Sequence, residues 1–100
     1  FPYTTLFRSF IPNVFSPNGD QINDYFIPKV YYGETVLLEI YDRWGSQLFK
    51  SSNYFEGWDG SYKGKNVNPG VYIYVLTIKG YNEKGVLINK AISGDLTLLR

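Results

Sequence analysis

The stretch Val71-Tyr72-Ile73-Tyr74-Val75-Leu76-Thr77-Ile78 decides how the chain is to be read. Successive side chains of a strand point to opposite faces. Here both faces are apolar, with Val71, Ile73 and Val75 on one and Tyr72, Tyr74, Leu76 and Ile78 on the other. Such a strand belongs at the centre of a sheet, and β-branched and aromatic residues fit its pleated surface. Outward from it, Val36, Leu38 and Ile40 share one face while Glu39 and Arg43 fall on the other, the pattern of a strand with one buried and one solvated side. Gly, Pro and Asn punctuate the whole chain, and no window keeps helical spacing. About seven strands are expected, near Ile11–Phe15, Tyr25–Val30, Val36–Arg43, Gln47–Ser51, Gly57–Tyr62, Val71–Tyr81 and Val86–Leu99, the last bending or breaking near Ser93-Gly94. Asp42-Arg43-Trp44-Gly45 is expected to turn a hairpin, Gly45 supplying a positive φ, and Asn82-Glu83-Lys84-Gly85 a second one. The fold class that follows is all-β, an immunoglobulin-like antiparallel β-sandwich of about seven strands, with a small barrel as the alternative.

One hundred residues suit one domain with one core. With 44% hydrophobic and 19% aromatic residues, the composition argues for a folded domain and against a disordered tail. Ten Lys and Arg against nine Asp and Glu leave a net charge of +1. No basic run stands ready to neutralise a series of phosphates, so nucleic-acid binding is not expected. Cysteine is absent, which removes disulfides and thiolate metal sites and leaves packing to hold the fold. No apolar run is long enough to cross a bilayer, and the N-terminal end carries no export signal. The opening Phe1-Pro2-Tyr3-Thr4-Thr5-Leu6-Phe7-Arg8-Ser9 reads as a translated sequencing adapter, or a disordered leader, with a genuine edge strand as the alternative. The domain is accordingly bounded at 10–100. On the adapter reading the chain is a piece of a longer protein.

Catalysis has little to work with. Histidine and cysteine are both missing, and with them the commonest general base, the thiolate nucleophile and most transition-metal chemistry. Asp20, Asp24, Asp42, Asp59 and Asp95 could pair as in a hydrolase, but each adjoins Gly, Asn or a turn, where aspartate bonds the local backbone. No catalytic residue and no cofactor is assigned. In the loop from Ser16 to Asp24, Asn18, Asp20, Asn23 and Asp24 bring several oxygen donors into a short span, and Ser16, Asn18, Asp20 and Asp24 stand where the first, third, fifth and ninth positions of a calcium loop would be. Gln21 stands where such a loop wants Gly, Ile27 where it wants the closing Glu, and Ser16 where it wants a carboxylate. An Asx-turn network is therefore the main reading and calcium the alternative, with no residue assigned as a metal ligand. Tyr31, Tyr32, Trp44, Tyr54, Phe55, Trp58, Tyr62, Tyr72 and Tyr74 could stack on sugar rings if exposed in a row; otherwise one Trp plugs the space between the sheets and the tyrosines bury their rings. Arg43 is expected to stack on Trp44 or Tyr41, or to pair with Asp42 or Asp59. Arg100, after the apolar Leu96, Leu98 and Leu99, is either a solvated end or a recognition feature on an ordered last strand.

Five motifs occur together: Ser16-Pro17-Asn18-Gly19-Asp20 with Asn23-Asp24, Tyr41-Asp42-Arg43-Trp44-Gly45, Trp58-Asp59-Gly60, Pro69-Gly70-Val71-Tyr72 and the ending Gly94 to Arg100. In this order, over Ile11 to Arg100, the chain resembles the gliding-motility-associated C-terminal domain, the type B sorting domain of the type IX secretion system. Gln21 replaces the family's usual Gly, and Asp42 its Asn. The resemblance implies a non-catalytic sorting module at the C terminus of a secreted or surface protein of Bacteroidota-type bacteria. It would carry upstream cargo domains of the same chain through the periplasm and across the outer membrane. Its implied partners are the type IX translocon and PorP/SprF-type outer-membrane proteins, and its implied location is the cell surface or the medium. Asn18, Asp20, Asn23, Asp24, Arg43, Trp44, Gly45, Trp58, Asp59, Gly60, Leu98 and Arg100 are the residues expected to carry recognition or the fold signature. The alternative is a carbohydrate-binding or adhesive β-sandwich module, such as an adhesin carries.

Overall fold

A computed structural model describes residues 8–19, 24–31, 33–53, 56–81 and 84–100. Among them it forms nine strands and no helix: β1 (Arg8–Phe10), β2 (Val14–Phe15), β3 (Lys29–Tyr31), β4 (Gly33–Tyr41), β5 (Gln47–Ser51), β6 (Ser61–Tyr62), β7 (Lys65–Asn66), β8 (Gly70–Tyr81) and β9 (Leu87–Leu98). The main sheet has the order β2-β9-β8-β4-β5, which puts the doubly apolar strand β8 in its middle. β8 pairs antiparallel with β4 on one side and with β9 on the other, Leu38 facing Leu76 and Tyr72 facing Leu96. Leu38 and Ile40 of β4, Tyr72, Leu76 and Ile78 of β8, and Leu96 and Leu98 of β9 thus form one apolar face.

That face is the core. Leu38, Ile40, Leu76, Ile78, Leu96 and Leu98 are buried on it, joined by Phe15 from β2. Opposite them lie Phe26, Val30 and Trp58, in the same hydrophobic cluster. Removing a Leu, Ile or Phe side chain from water contributes about 1.5–3 kcal/mol, so this cluster supplies most of what opposes the chain entropy. The layer facing the main sheet is made of short pieces: the β1–β3 ladder, an isolated antiparallel bridge between Phe26 and Trp58, and, beyond it, the β6–β7 hairpin. The result is an all-β sandwich with one strong sheet and one interrupted face.

Several strands differ from their expected form, each for a local reason. The run Tyr25–Val30 divides into the Phe26 bridge and β3, because Pro28 has no N–H to donate to a ladder. Gly57–Tyr62 divides into the Trp58 bridge and β6 across Gly60, which takes φ 81°. Ile11–Phe15 shortens to β2, and β2 runs parallel to β9 where an antiparallel partner was expected. Thr97 N–H donates to Asn13 O at 2.8 Å and Leu99 N–H to Phe15 O at 2.9 Å, and this docking sets Phe15 beside Leu98 in the core. The break expected near Ser93-Gly94 is absent: β9 stays in register with β8 from Leu87 to Leu98. Gly94 faces Tyr74 across the ladder, and a Cβ there would stand 2.7 Å from the Tyr74 hydroxyl oxygen. The tyrosine ring occupies the space the missing side chain leaves, which keeps a glycine tolerable within a strand. The 1–9 leader falls partly on β1, since Arg8–Phe10 pairs antiparallel with Lys29–Tyr31; residues 1–7 lie outside the described residues.

Candidate functional site

Asp42 organises the hairpin between β4 and β5. Its Oδ1 accepts from the N–H of Trp44 and of Ser46, each at 2.9 Å, while its own carbonyl accepts from Gly45 N–H at 3.1 Å. Gly45 takes φ 86°, as its place in the turn requires. With the carboxylate turned onto the backbone, Arg43 and Trp44 are left pointing outward, and Trp44 is 83% exposed. The expected pairing of Arg43 with Asp42 or Asp59 does not form among the described residues. Asp59 instead bonds Ser61, accepting from its N–H at 3.0 Å and its hydroxyl at 2.6 Å. No stacking of Arg43 on Trp44 or Tyr41 is found among the described residues either.

The turn forms one wall of a groove of about 480 Å³. Asn66, Val67, Asn68, Pro69 and Gly70 form the other wall, and Tyr72 and Leu48 also line it. Two motifs far apart in sequence, Asp42 to Trp44 and Pro69 to Tyr72, therefore meet at one end of the sandwich. The Tyr72 hydroxyl donates to Asn68 O at 2.6 Å and fixes the loop to the buried ring. Burial pushes this hydroxyl above its ordinary value of 10.0; Arg100 and Arg43 pull against the shift and Asp42 adds to it.

Arg100 holds the same loop from behind. Its Nε donates to Val67 O at 3.0 Å and its Nη2 to Gly60 O at 2.7 Å, across 33 and 40 residues of sequence. Gly60 O also accepts from Val67 N–H at 3.0 Å, so one carbonyl joins the Trp58-Asp59-Gly60 turn, the groove loop and the last residue of the chain. Gly60 is packed so closely that an added Cβ would stand 2.9 Å from Leu98 and 3.1 Å from Arg100. Arg100 is thus exposed but tied to the fold, with its Nε and Nη2 engaged by main-chain oxygens. Val67 and Asn68 take part through backbone groups, the N–H and carbonyl of Val67 and the carbonyl of Asn68, which no residue-type pattern marks.

Trp58 and Leu98 belong to the core. Trp58 is 1% exposed, its ring 5.5 Å from Phe15 and 5.3 Å from Tyr72, with Nε1–H donating to Ser61 O at 2.9 Å. It is the tryptophan that plugs the sandwich. Tyr72 and Tyr74 are likewise engaged in the aromatic cluster, Tyr74 lying 5.6 Å from Phe26. These rings make no exposed platform for a sugar. In the Ser16 to Asp24 loop, Asp24 Oδ1 accepts from the N–H of Asn18 and of Gly19, both at 3.1 Å, closing the loop by side-chain to backbone bonds. Asp20, Gln21 and Asn23, with Tyr32, Tyr54 and Phe55, lie outside the described residues. Among the described residues no group of three or more acidic side chains is placed to hold a metal, and no helix is long and apolar enough to cross a membrane.

Comparison with known proteins finds a family match that covers four of the five motifs and stops before Gly94 to Arg100. The family described as the CHU_C type IX secretion signal domain matches residues 9–90, a span that contains the Asp42 turn, Trp58-Asp59-Gly60 and the groove loop. No curated protein and no solved structure matches the chain.

Proposed function

Because the chain belongs to the CHU_C type IX secretion signal domain family, we propose that the secretion machinery recognises its folded surface at the end of the sandwich where Arg43 and Trp44 stand beside the groove. Membership makes the domain a sorting module, one that sends an attached cargo through type IX secretion to the cell surface or the medium. The recognition site within it is our reading. The observation that carries it is the exposure of Trp44 on a turn whose geometry is held by Asp42 and Gly45. Trp and Arg are among the residue types that dominate binding energy at interfaces, and here Trp44 and Arg43 stand together on the wall of a groove. On this reading Arg100 supports recognition indirectly, by fixing the facing wall, and Trp58, Gly60 and Leu98 support the fold.

The domain then acts by binding alone, without catalysis and without a metal or cofactor. Its partners are the type IX translocon, PorP/SprF-type outer-membrane proteins and the cargo domains joined to it. The test is export of a periplasm-targeted fluorescent cargo fused ahead of residues 1–100, in a host with a type IX system and in a translocon-null strain. Cargo should leave the periplasm only in the competent host, and Trp44→Ala should hold it back while the domain melts at the wild-type temperature. Retention of a folded, intact wild-type fusion in the competent host would refute the sorting role. Undiminished export of Trp44→Ala would refute the proposed site.

A further inference from the structure

The groove has a chemical character that names the class of segment it receives, and the inference rests on the recognition site proposed above. Its acidic wall residue keeps its negative charge, but Asp42 Oδ1 is engaged by the N–H groups of Trp44 and Ser46. Its basic wall residue is not engaged in this way. Arg43 is exposed and takes no hydrogen bond or ion pair from the described residues. Arg100 adds a second guanidinium behind the loop, close enough to act on Tyr72, and Lys65 precedes the wall residue Asn66. The groove therefore has a positive rim. Its remaining surface is apolar or neutral, with the Trp44 ring on one wall and Pro69 on the other, above Tyr72. About 480 Å³ is within the range of sites that take a small ligand or a few side chains.

We propose that this groove receives an extended acidic peptide segment of the secretion partner, with a carboxylate on the Arg43 guanidinium and a neighbouring apolar side chain against Trp44. A guanidinium recognises a carboxylate by two parallel N–H···O bonds, which fixes orientation as well as charge. Trp, Tyr and Arg are the residue types that dominate binding energy at interfaces. A neutral sugar would use the ring of Trp44 but leave Arg43 without a counterpart. The charge on the rim thus favours the acidic peptide over a glycan.

The experiment uses the cargo fusion in type IX-competent cells. Arg43→Glu sets like charges against each other and should lower the exported fraction by about tenfold or more, since such a juxtaposition costs several kcal/mol. Arg43→Lys keeps the charge without the fork and should fall between. A photoreactive residue at Asn68 (Asn68→benzoylphenylalanine), on the opposite wall and exposed, is then crosslinked in living cells and the attachment point mapped by mass spectrometry. Attachment to a protein segment with Asp or Glu within a few residues supports the proposal. Attachment to a segment lacking acidic residues, or to a polysaccharide, overturns it. So does the absence of any crosslink from an exported fusion, or export of Arg43→Glu at the wild-type level with an unchanged melting temperature. Failure of the wild-type fusion to be exported is a different result, since it removes the sorting role itself.

Discussion

Replacing Arg100 with Ala removes two hydrogen bonds that bind the last residue to the middle of the chain, at Val67 O and Gly60 O. A typical net contribution is about 0.5–1.5 kcal/mol per bond, more when the donor is charged. Two things reduce the sum here. Arg100 is exposed, so water competes for the guanidinium and can replace it on Val67 O, and Gly60 O keeps its bond from Val67 N–H. A loss of about 1–2 kcal/mol is the result. In a domain of this size each kcal/mol moves the melting temperature by roughly 5 °C, so Arg100→Ala should melt about 5–10 °C below wild type. Thermal unfolding followed by near-ultraviolet circular dichroism, which senses the packed Phe15, Trp58 and Tyr72 rings, measures it directly. Arg100→Lys should lose about half as much, because one ammonium cannot span both carbonyls with the same geometry. A second readout separates a clasp from a frayed end. Arg100 pulls the Tyr72 hydroxyl downward against the effect of burial, so Arg100→Ala should move tyrosinate formation at Tyr72 to higher pH. A variant that melts within about 1 °C of wild type, with Tyr72 titrating as before, would show that the clasp is without energetic consequence.

Trp58→Ala should cost about 3–5 kcal/mol, a large part of the roughly 5–15 kcal/mol that holds a domain together; a cooperative urea transition near the wild-type midpoint would contradict the core assignment. Gly94→Ala drives a methyl group into the Tyr74 ring end and should cost about 1–3 kcal/mol. Tyr74→Phe removes the nearest atom, so the double variant should be more stable than the sum of the singles, and strict additivity in a double-mutant cycle would deny the contact. Asp42→Ala should destabilise by about 1 kcal/mol and lower export, while Asp42→Asn, which keeps the accepting oxygen, should do neither; equal melting of the two would remove Asp42 from the turn's support. Because the Tyr72 pKa is raised on folding, its contribution to stability is fully present below pH 10.0 and lost as pH rises through the higher folded value. Alkaline unfolding should therefore be less steep in Tyr72→Phe than in wild type, and identical profiles would contradict this.

The sequence by itself determined the strong strands and the identity of the family. Alternation and composition are local properties, so β5 came out at Gln47–Ser51 as expected and β8 within one residue of its expected start. The doubly apolar run could only be central, and the asymmetry of Asp42-Arg43-Trp44-Gly45 marked a turn because glycine tolerates the φ it needs. Of the two tryptophans, only the fold could say which is buried, since the same ring serves as a core plug at Trp58 and as an exposed surface at Trp44. Tertiary structure also decided the parallel docking of β2, the unbroken course of β9 beneath Tyr74, and the groove made by residues 42–44 and 66–72. Above all it decided the place of Arg100. Its partners are backbone carbonyls, which every residue possesses, at positions 33 and 40 residues away. A sequence records side-chain types and their spacing, whereas contacts to main-chain oxygens across the fold exist only once packing has brought them within reach.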